Sequence, residues 1–133
     1  MSTENKGTAL VTGASSGIGE LYAERLADRG YDLILVARRV DRLEAVARNI
    51  HARTGRKVEV LRGDLTNRAD IATVERRLRD DSAITMLVNN AGISLEGSTL
   101  DNDSDNIERI VTINILAPTL LTAAAAQAFV DRD

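Results

Sequence analysis

The sequence predicts an α/β protein with a doubly wound parallel sheet, and three observations lead to this class. Short apolar runs alternate along the 133 residues with segments of helical periodicity. The run Asp32–Ala37 is continuously apolar through Leu-Ile-Leu-Val, which is typical of a strand buried on both faces of a parallel sheet. The first apolar run breaks into a glycine-rich turn, Gly13–Gly19, from which a helix starts. Right-handed crossovers then predict the strand order 3-2-1-4.

Four strands and four helices follow from the patterning. The strands are expected at Thr8–Val11, Asp32–Ala37, Val58–Leu61 and Ile84–Val88. The helices are expected at Ser16–Arg29, Asp41–Arg53 and Asn67–Leu78, and from Ser104 almost to Phe129. Asn67 is a candidate N-cap, and Gly30 and Gly55 lie beyond the ends of the first two helices. We expect the first helix to bury Ile18, Leu21, Tyr22 and Leu26, and the second to bury Leu43, Val46, Ala47 and Ile50.

Composition narrows the classes of partner. The chain has a net charge of −3, two Tyr and one Phe, which argues against nucleic acid. Without cysteine it has no disulfide, thiolate zinc site or cysteine nucleophile. No apolar run approaches the roughly 20 residues of a membrane span, and the polar start Met1–Lys6 lacks a signal-peptide core. We therefore expect a cytoplasmic soluble protein of one domain, with no membrane partner.

No metal site is predicted. The segment Asp101–Asp105 opens like a calcium loop, but Asn106 stands where Gly is required and Thr112 where Glu is required. His51 is the only histidine and lies among polar residues of a helix. The acidic segment is therefore interpreted as a turn that leads into a helix.

The glycine-rich turn predicts a phosphate-binding site. Gly13, Gly17 and Gly19 have the spacing G-x-x-x-G-x-G. Gly13 and Gly17 have no side chain, which leaves space for a ligand to approach the backbone. Gly19 lets the helix pack closely on the strand. The N–H groups of the first helical turn have no intrahelical partners and lie at the positive end of the helix dipole, so they favour an anion such as a pyrophosphate. An ordinary glycine loop remains an alternative, and the predicted binding residues are Gly13, Ser15, Ser16, Gly17, Ile18 and Gly19.

Two arginines follow the second strand, where dinucleotide-binding proteins usually have an acid. That acid binds the adenosine ribose about 20 residues after the glycines, and here the position falls on Arg39. Arg38 and Arg39 would instead pair with a 2′-phosphate, which predicts NADP(H) in preference to NAD(H). The alternative is two solvated arginines at the start of a helix, although cations are slightly unfavourable there.

Two further segments follow strands at the same edge of the sheet. Asp64 and Leu65 come after the third strand, and the Asp64 carboxylate could accept the exocyclic amine of adenine. Asn90, Ala91 and Gly92 come after the fourth strand, where small residues keep the wall beside a nucleotide thin. Considered alone, Asp64 could be an aspartate that caps a helix or stabilises a turn. The segment after the fourth strand could be a simple turn.

Asn114 lies within an apolar helical stretch, where burial of its amide side chain is costly unless the amide forms hydrogen bonds. Pro118 lies four residues later and has no N–H, so it cannot bond the Asn114 carbonyl. We expect a bend between Thr112 and Pro118, with that carbonyl facing a water or the nicotinamide side.

These motifs together resemble the short-chain dehydrogenase/reductase (SDR) family, in its classical branch. The segments Thr12–Gly19, Asp64-Leu65, Asn89–Gly92 and Asn114 stand in the family's order and spacing, from about Thr8 onward. The resemblance implies a Rossmann-like fold, a dinucleotide cofactor and hydride transfer between NADPH and a small carbonyl or alcohol substrate. It also implies that Asn114 is one member of the catalytic quartet.

The sequence departs from the family in its catalytic residues. The family uses a Ser and a Tyr-x-x-x-Lys pair, but here Leu26 follows Tyr22 at that spacing and Leu35 follows Tyr31. Ser94 and Ser98 do not match the catalytic serine. The chain therefore resembles the N-terminal half of the family's domain, before the strands and helices that complete it. It is interpreted either as part of an NADP-dependent reductase or as an inactive nucleotide-binding or assembly module.

Self-association is expected for the same reason. In the family a fifth strand pairs with the fourth, and here Ile84–Val88 would be an uncovered apolar edge that recruits other chains. The last helix would also lose cover around Leu120, Leu121 and Phe129.

Overall fold

The computed structural model describes residues 5–15, 17–94 and 97–133, and in these ranges it shows four strands and five α-helices. The strands are β1 (Thr8–Thr12), β2 (Asp32–Ala37), β3 (Val58–Arg62) and β4 (Ile84–Val88). The α-helices are α1 (Gly17–Asp28), α2 (Val40–Thr54), α3 (Arg68–Asp80), α4 (Ser104–Val111) and α5 (Ala117–Arg132). A 3₁₀ turn at Thr99–Asp101 precedes α4, and a π-helical turn at Thr112–Leu116 joins α4 to α5.

The sheet is parallel and has the order β3-β2-β1-β4, as predicted. Thr12, the last residue of β1, pairs with Val36 of β2, and Val11 pairs with Val88 of β4. All four strands therefore end at one edge of the sheet. In open α/β sheets this carboxyl edge is where ligands bind.

Helices cover both faces of the sheet because successive strand residues point to opposite sides. Ala9 and Val11 lie in a core cluster with the buried side chains of α1 and α2. Leu10, between them, lies in a second cluster with those of α3 and α5. The sheet is thus buried on both sides, in agreement with the continuously apolar sequence of β2, and the fold is Rossmann-like.

The predicted buried face of α1 is wrong. Ile18, Leu21 and Tyr22 are 66%, 49% and 48% exposed, and only Leu26 of the predicted set is buried. The buried residues are Gly19, Ala23, Leu26 and Ala27. Small residues at positions 19, 23 and 27 are one helical turn apart, so they let the helix backbone come close to the sheet.

The other predicted helix signals are confirmed. Leu43, Val46, Ala47 and Ile50 are the buried residues of α2, which ends at Gly55 with a left-handed φ of 75°. Asn67 caps α3, because its side-chain oxygen accepts the N–H groups of Ala69 at 2.9 Å and Asp70 at 3.2 Å.

The helix that contains Asn114 is irregular where a bend was expected. The Ala117 N–H donates to the Thr112 carbonyl, five residues back, so the turn before Pro118 is π-helical. π-Helical turns are sites where helices bend. In contrast to the expectation, Asn114 is exposed.

In contrast to the expectation that no apolar run approaches the length of a membrane span, the continuous helical stretch Ser104–Arg132 is long and apolar enough for one. It is 29 residues long and contains a window of mean hydropathy 1.6, of which 28% is buried. By length and composition alone it could span a bilayer. Its α5 part packs on the sheet and α3 through Ala117, Leu121, Ala124, Ala125 and Ala128, as core helices do. The absence of a membrane partner stays a prediction.

The uncovered apolar surface lies earlier in this stretch than expected. Leu121 is fully buried, and Leu120 and Phe129 pack against the core. Apart from Val130 near the end of α5, the large apolar residues exposed in this stretch are Ile107, Val111, Ile115 and Leu116, and α4 has no buried residue. We call these four residues the α4 stripe.

Candidate functional site: a cleft at the carboxyl edge of the sheet

A cleft of about 350 Å³ opens at the carboxyl edge of the sheet. Its walls come from the segments that follow β1, β2, β3 and β4, together with one face of α4. Of the predicted binding residues, those that line it are Gly13, Ser15, Arg38, Asp64, Leu65, Asn90, Ala91 and Gly92. Gly17, Ile18, Gly19 and Arg39 do not line it, and Ser16 lies outside the described residues.

Close backbone contact fixes the shape of the glycine-rich turn. A Cβ atom built on Gly19 would lie 2.1 Å from the Gly13 carbonyl oxygen, so a side chain has no space there. The same carbonyl accepts a hydrogen bond from the Asn90 side-chain amide at 3.1 Å. Gly13 has a left-handed φ of 63°, and its own Cβ would lie 2.9 Å from the Ala91 Cα. Glycine is therefore required at both positions, and the turn is held against the end of β4.

Thr12 forms the second link between the ends of β1 and β4. Its side chain is 1% exposed, and its hydroxyl oxygen accepts the N–H groups of Asn90 and Ala91, both at 3.0 Å. This role of Thr12 was not predicted from the sequence. The sequence does contain a signal for it, because Thr12 is a polar residue at the end of an apolar strand. A hydroxyl buried there needs hydrogen-bond partners.

Three arginines surround the loop that joins β2 to α2. Arg38 lines the cleft, and Arg39 is the N-cap residue of α2 without a side-chain capping bond. Arg42, in the first turn of α2, donates from Nε to the Ser15 carbonyl at 2.5 Å. All three side chains are exposed, so this side of the cleft presents positive charge to an incoming ligand.

Asp64 is held in place by its neighbours on the β3–α3 loop. Its Oδ1 accepts the Thr66 hydroxyl at 2.6 Å and the Thr66 N–H at 2.9 Å. The hydroxyl bond is the largest cause that lowers the pKa of Asp64, and the charges of Arg38 and Arg109 lower it further. Asp64 is therefore ionised at neutral pH and can accept hydrogen bonds from a ligand.

Asn114 holds the loop that follows β4. Its Oδ1 accepts the Ile93 N–H at 3.0 Å, and its Nδ2 donates to the Ile93 carbonyl at 2.6 Å. Gly92 packs beneath this pair, because its Cβ would lie 2.8 Å from the Asn114 Oδ1. The side chain thus fixes Ile93, which lines the cleft, whereas the predicted orientation of the Asn114 carbonyl stays a prediction.

Arg109 also lines the cleft, from α4, and sequence reasoning missed it. An exposed arginine on a helix is normally a solvated residue. The signal in the sequence was its position four residues before the apolar Ile113. Residues at this spacing share a helix face, so Arg109 lies on the same face as Ile113.

The chain's two lysines and one of its two tyrosines come shortly before strands of the sheet. Lys6 lies two residues before β1, and Lys57 and Tyr31 directly precede β3 and β2. These three residues are therefore at the amino edge of the sheet, opposite the cleft. Tyr22 lies on α1, with no lysine four residues later.

Known proteins resemble this chain over most of its length. A family model described as short chain dehydrogenase matches residues 7–133. The very-long-chain 3-oxoacyl-CoA reductase of Vanderwaltozyma polyspora is 35% identical over 127 residues, which cover 93% of this chain and 37% of that protein. The human inactive hydroxysteroid dehydrogenase-like protein 1 is 30% identical over 126 residues, with 93% and 38% covered.

A solved structure is also similar over nearly the whole chain. The short-chain dehydrogenase from Sphingobium yanoikuyae in complex with NADPH has 50% identity and a TM-score of 0.92, and covers 94% of this chain and 49% of that one. The chain thus spans about half the length of that structure and just over a third of the two curated relatives. With the family model matched from residue 7 to 133, the chain belongs to the short-chain dehydrogenase family.

Proposed function

We propose that the chain provides the NADP(H)-binding part of an oxidoreductase that transfers hydride between NADPH and a carbonyl or alcohol carbon. The observation that carries this proposal is the cleft bounded by the glycine-rich turn, Arg38 and Asp64. The solved relative in complex with NADPH supports the same cofactor class. The curated relatives support the reaction class, although one of them is named as inactive.

We assign a group of the chain to each part of the dinucleotide. The start of α1 at Gly17 offers N–H groups to the pyrophosphate, and Gly13 leaves the space that a side chain would fill. Arg38 and Arg39 pair with the 2′-phosphate, and the ionised Asp64 accepts the adenine amine. When bound, NADPH supplies the hydride.

The first test concerns the choice of cofactor. We expect the chain to bind NADPH more tightly than NADH, because only NADPH has a 2′-phosphate for the arginines. A hydrogen bond to a charged group contributes roughly 1.5–3 kcal/mol, so Arg38→Ala or Arg39→Ala should weaken NADPH binding about tenfold or more and leave NADH unchanged. Titration calorimetry with both cofactors measures this. Arg48→Ala removes the same charge from an exposed position on α2 and is the control; equal affinities in the unchanged chain would contradict the proposal.

A second candidate function is a nucleotide-binding module without its own chemistry. It is favoured by the positions of the lysines and of Tyr31 at the edge of the sheet opposite the cleft. In the family, a tyrosine next to a lysine protonates the carbonyl oxygen, and Asn114 cannot supply that proton. For residues 1–133 by themselves we therefore propose cofactor binding without hydride transfer.

Turnover by the purified chain tests whether residues 1–133 carry out hydride transfer by themselves. We expect no hydride transfer above background when the chain is incubated with NADPH and a panel of ketones and aldehydes, followed by loss of nicotinamide absorbance. Loss of a positioned acid alone reduces the rate by about 10²–10⁴. Turnover near 1 s⁻¹, about the low end for enzymes, would contradict this expectation.

We also propose that two copies of the chain associate. In the described part of the chain, β4 pairs on one side only, with β1. The α4 stripe is apolar and exposed, and Ile107, Val111 and Ile115 follow each other at four-residue spacing. Such a stripe can pack against the same stripe of a second copy about a two-fold axis.

Sedimentation equilibrium tests the association. We expect a concentration-dependent dimer, and we expect Ile115→Asp to yield a monomer because it places a charge in the stripe. Val130→Asp is the matched control, since Val130 is 71% exposed but lies near the end of α5, outside the stripe. A monomer at all concentrations would overturn the proposal, and so would a dimer that Ile115→Asp leaves intact.

A further inference from the structure

Arg109 belongs to the cleft although no phosphate-binding motif contains it. It lies on α4, and Ile113, one helical turn later, also lines the cleft. Arg109 on α4 and Ile113 in the π-helical turn therefore lie on one face of this helical stretch, and that face is turned towards the cleft. The guanidinium therefore faces the same space as Arg38 and Asp64.

The position of Arg109 relative to Asp64 indicates which part of a ligand it meets. Asp64 lies in the loop after β3, and the charges of both Arg38 and Arg109 act on its carboxylate, beside which both arginines line the cleft. The glycine-rich turn and Arg42 are connected to each other through the Ser15 carbonyl, after β1. Arg109 therefore reaches the part of the cleft that contains Asp64, to which the proposed function assigns the base, and it does so from α4, whereas Arg38 reaches it from the loop after β2.

The chemistry of the two side chains matches one edge of adenine. That edge offers the amino group as a donor and the adjacent ring nitrogen N7 as an acceptor. Asp64, ionised, can only accept, and a guanidinium can only donate. Arg109 gives one of its five N–H donors to Asn106 Oδ1, at 3.3 Å, a long bond that a ligand can replace.

We propose that Arg109 is a further cofactor-binding residue, which donates to a ring nitrogen of the adenine while Asp64 accepts from its amino group. This inference rests on the proposed function, because it assumes that the dinucleotide occupies the cleft. It assigns Arg109 to the base and Arg38 to the 2′-phosphate. The two arginines therefore differ in which cofactor each affects.

Binding of NADPH and NADH to Arg109→Ala tests the assignment. Because both cofactors contain adenine, their dissociation constants should rise by the same factor, on the order of tenfold, with the NADPH-to-NADH ratio unchanged. Arg38→Ala should lower that ratio.

Arg76→Ala, which removes a charge from an exposed site on α3, should change neither affinity. Asn106→Ala, which removes the partner of Arg109 on α4 together with the hydrogen bond from Asn106 to Asn102, should leave binding within about twofold.

The outcomes separate the inference from the function on which it rests. Loss of NADPH affinity alone in Arg109→Ala would place Arg109 at the 2′-phosphate and overturn the inference. Unchanged affinity for both cofactors would overturn it as well, and so would equal losses in Asn106→Ala and Arg109→Ala, since the effect would then be structural. Binding of neither cofactor by the unchanged chain would overturn the proposed function and this inference with it.

Discussion

The close approach of Gly19 to the Gly13 carbonyl is the contact on which the rest of the site depends. It brings the start of α1 against the end of β1, and the same carbonyl accepts the Asn90 amide from the end of β4. Thr12 fixes the same two strand ends through its buried hydroxyl. A side chain at position 19 would overlap backbone atoms, and overpacking of this kind typically costs about 1–3 kcal/mol. The turn, the first N–H groups of α1 and one wall of the cleft therefore have fixed relative positions.

Charge is distributed over this frame in a pattern that suits an anionic ligand with one neutral base. Arg38, Arg39 and Arg42 stand on the β2–α2 side, although the chain as a whole has a net charge of −3. The carboxylate that lines the cleft, Asp64, is stabilised in its ionised form by Thr66. The positive potential is thus local to the cleft, where it can attract phosphates without making the whole surface basic.

The sequence predicts the sheet well because each strand of a buried parallel sheet has a distinctive apolar run. The bounds of β2 and β4 and the buried face of α2 are as expected. The buried face of α1 differs from the prediction. Helical periodicity is judged from the large apolar residues, whereas tight packing of α1 on β1 requires the small residues Gly19 and Ala23. Pro118 indicates an irregular helix but does not specify a π-helical turn, and Arg109 cannot be told from a solvated arginine until the fold places α4 beside the cleft. What sequence reasoning missed is therefore what depends on contacts between distant segments.

We propose that the carboxyl edge of the sheet, arranged around the Gly13–Gly19 contact, is a dinucleotide site. Titration of the isotopically labelled chain with NADPH, followed through backbone amide chemical shifts, tests it most directly. The account predicts shift changes concentrated at Gly13, Ser15, Gly17, Asp64 and Ala91, with the residues before β1 and β3 unaffected. Saturable shifts confined to the amino edge of the sheet or to the α4 stripe, or no shifts at millimolar NADPH, would contradict it.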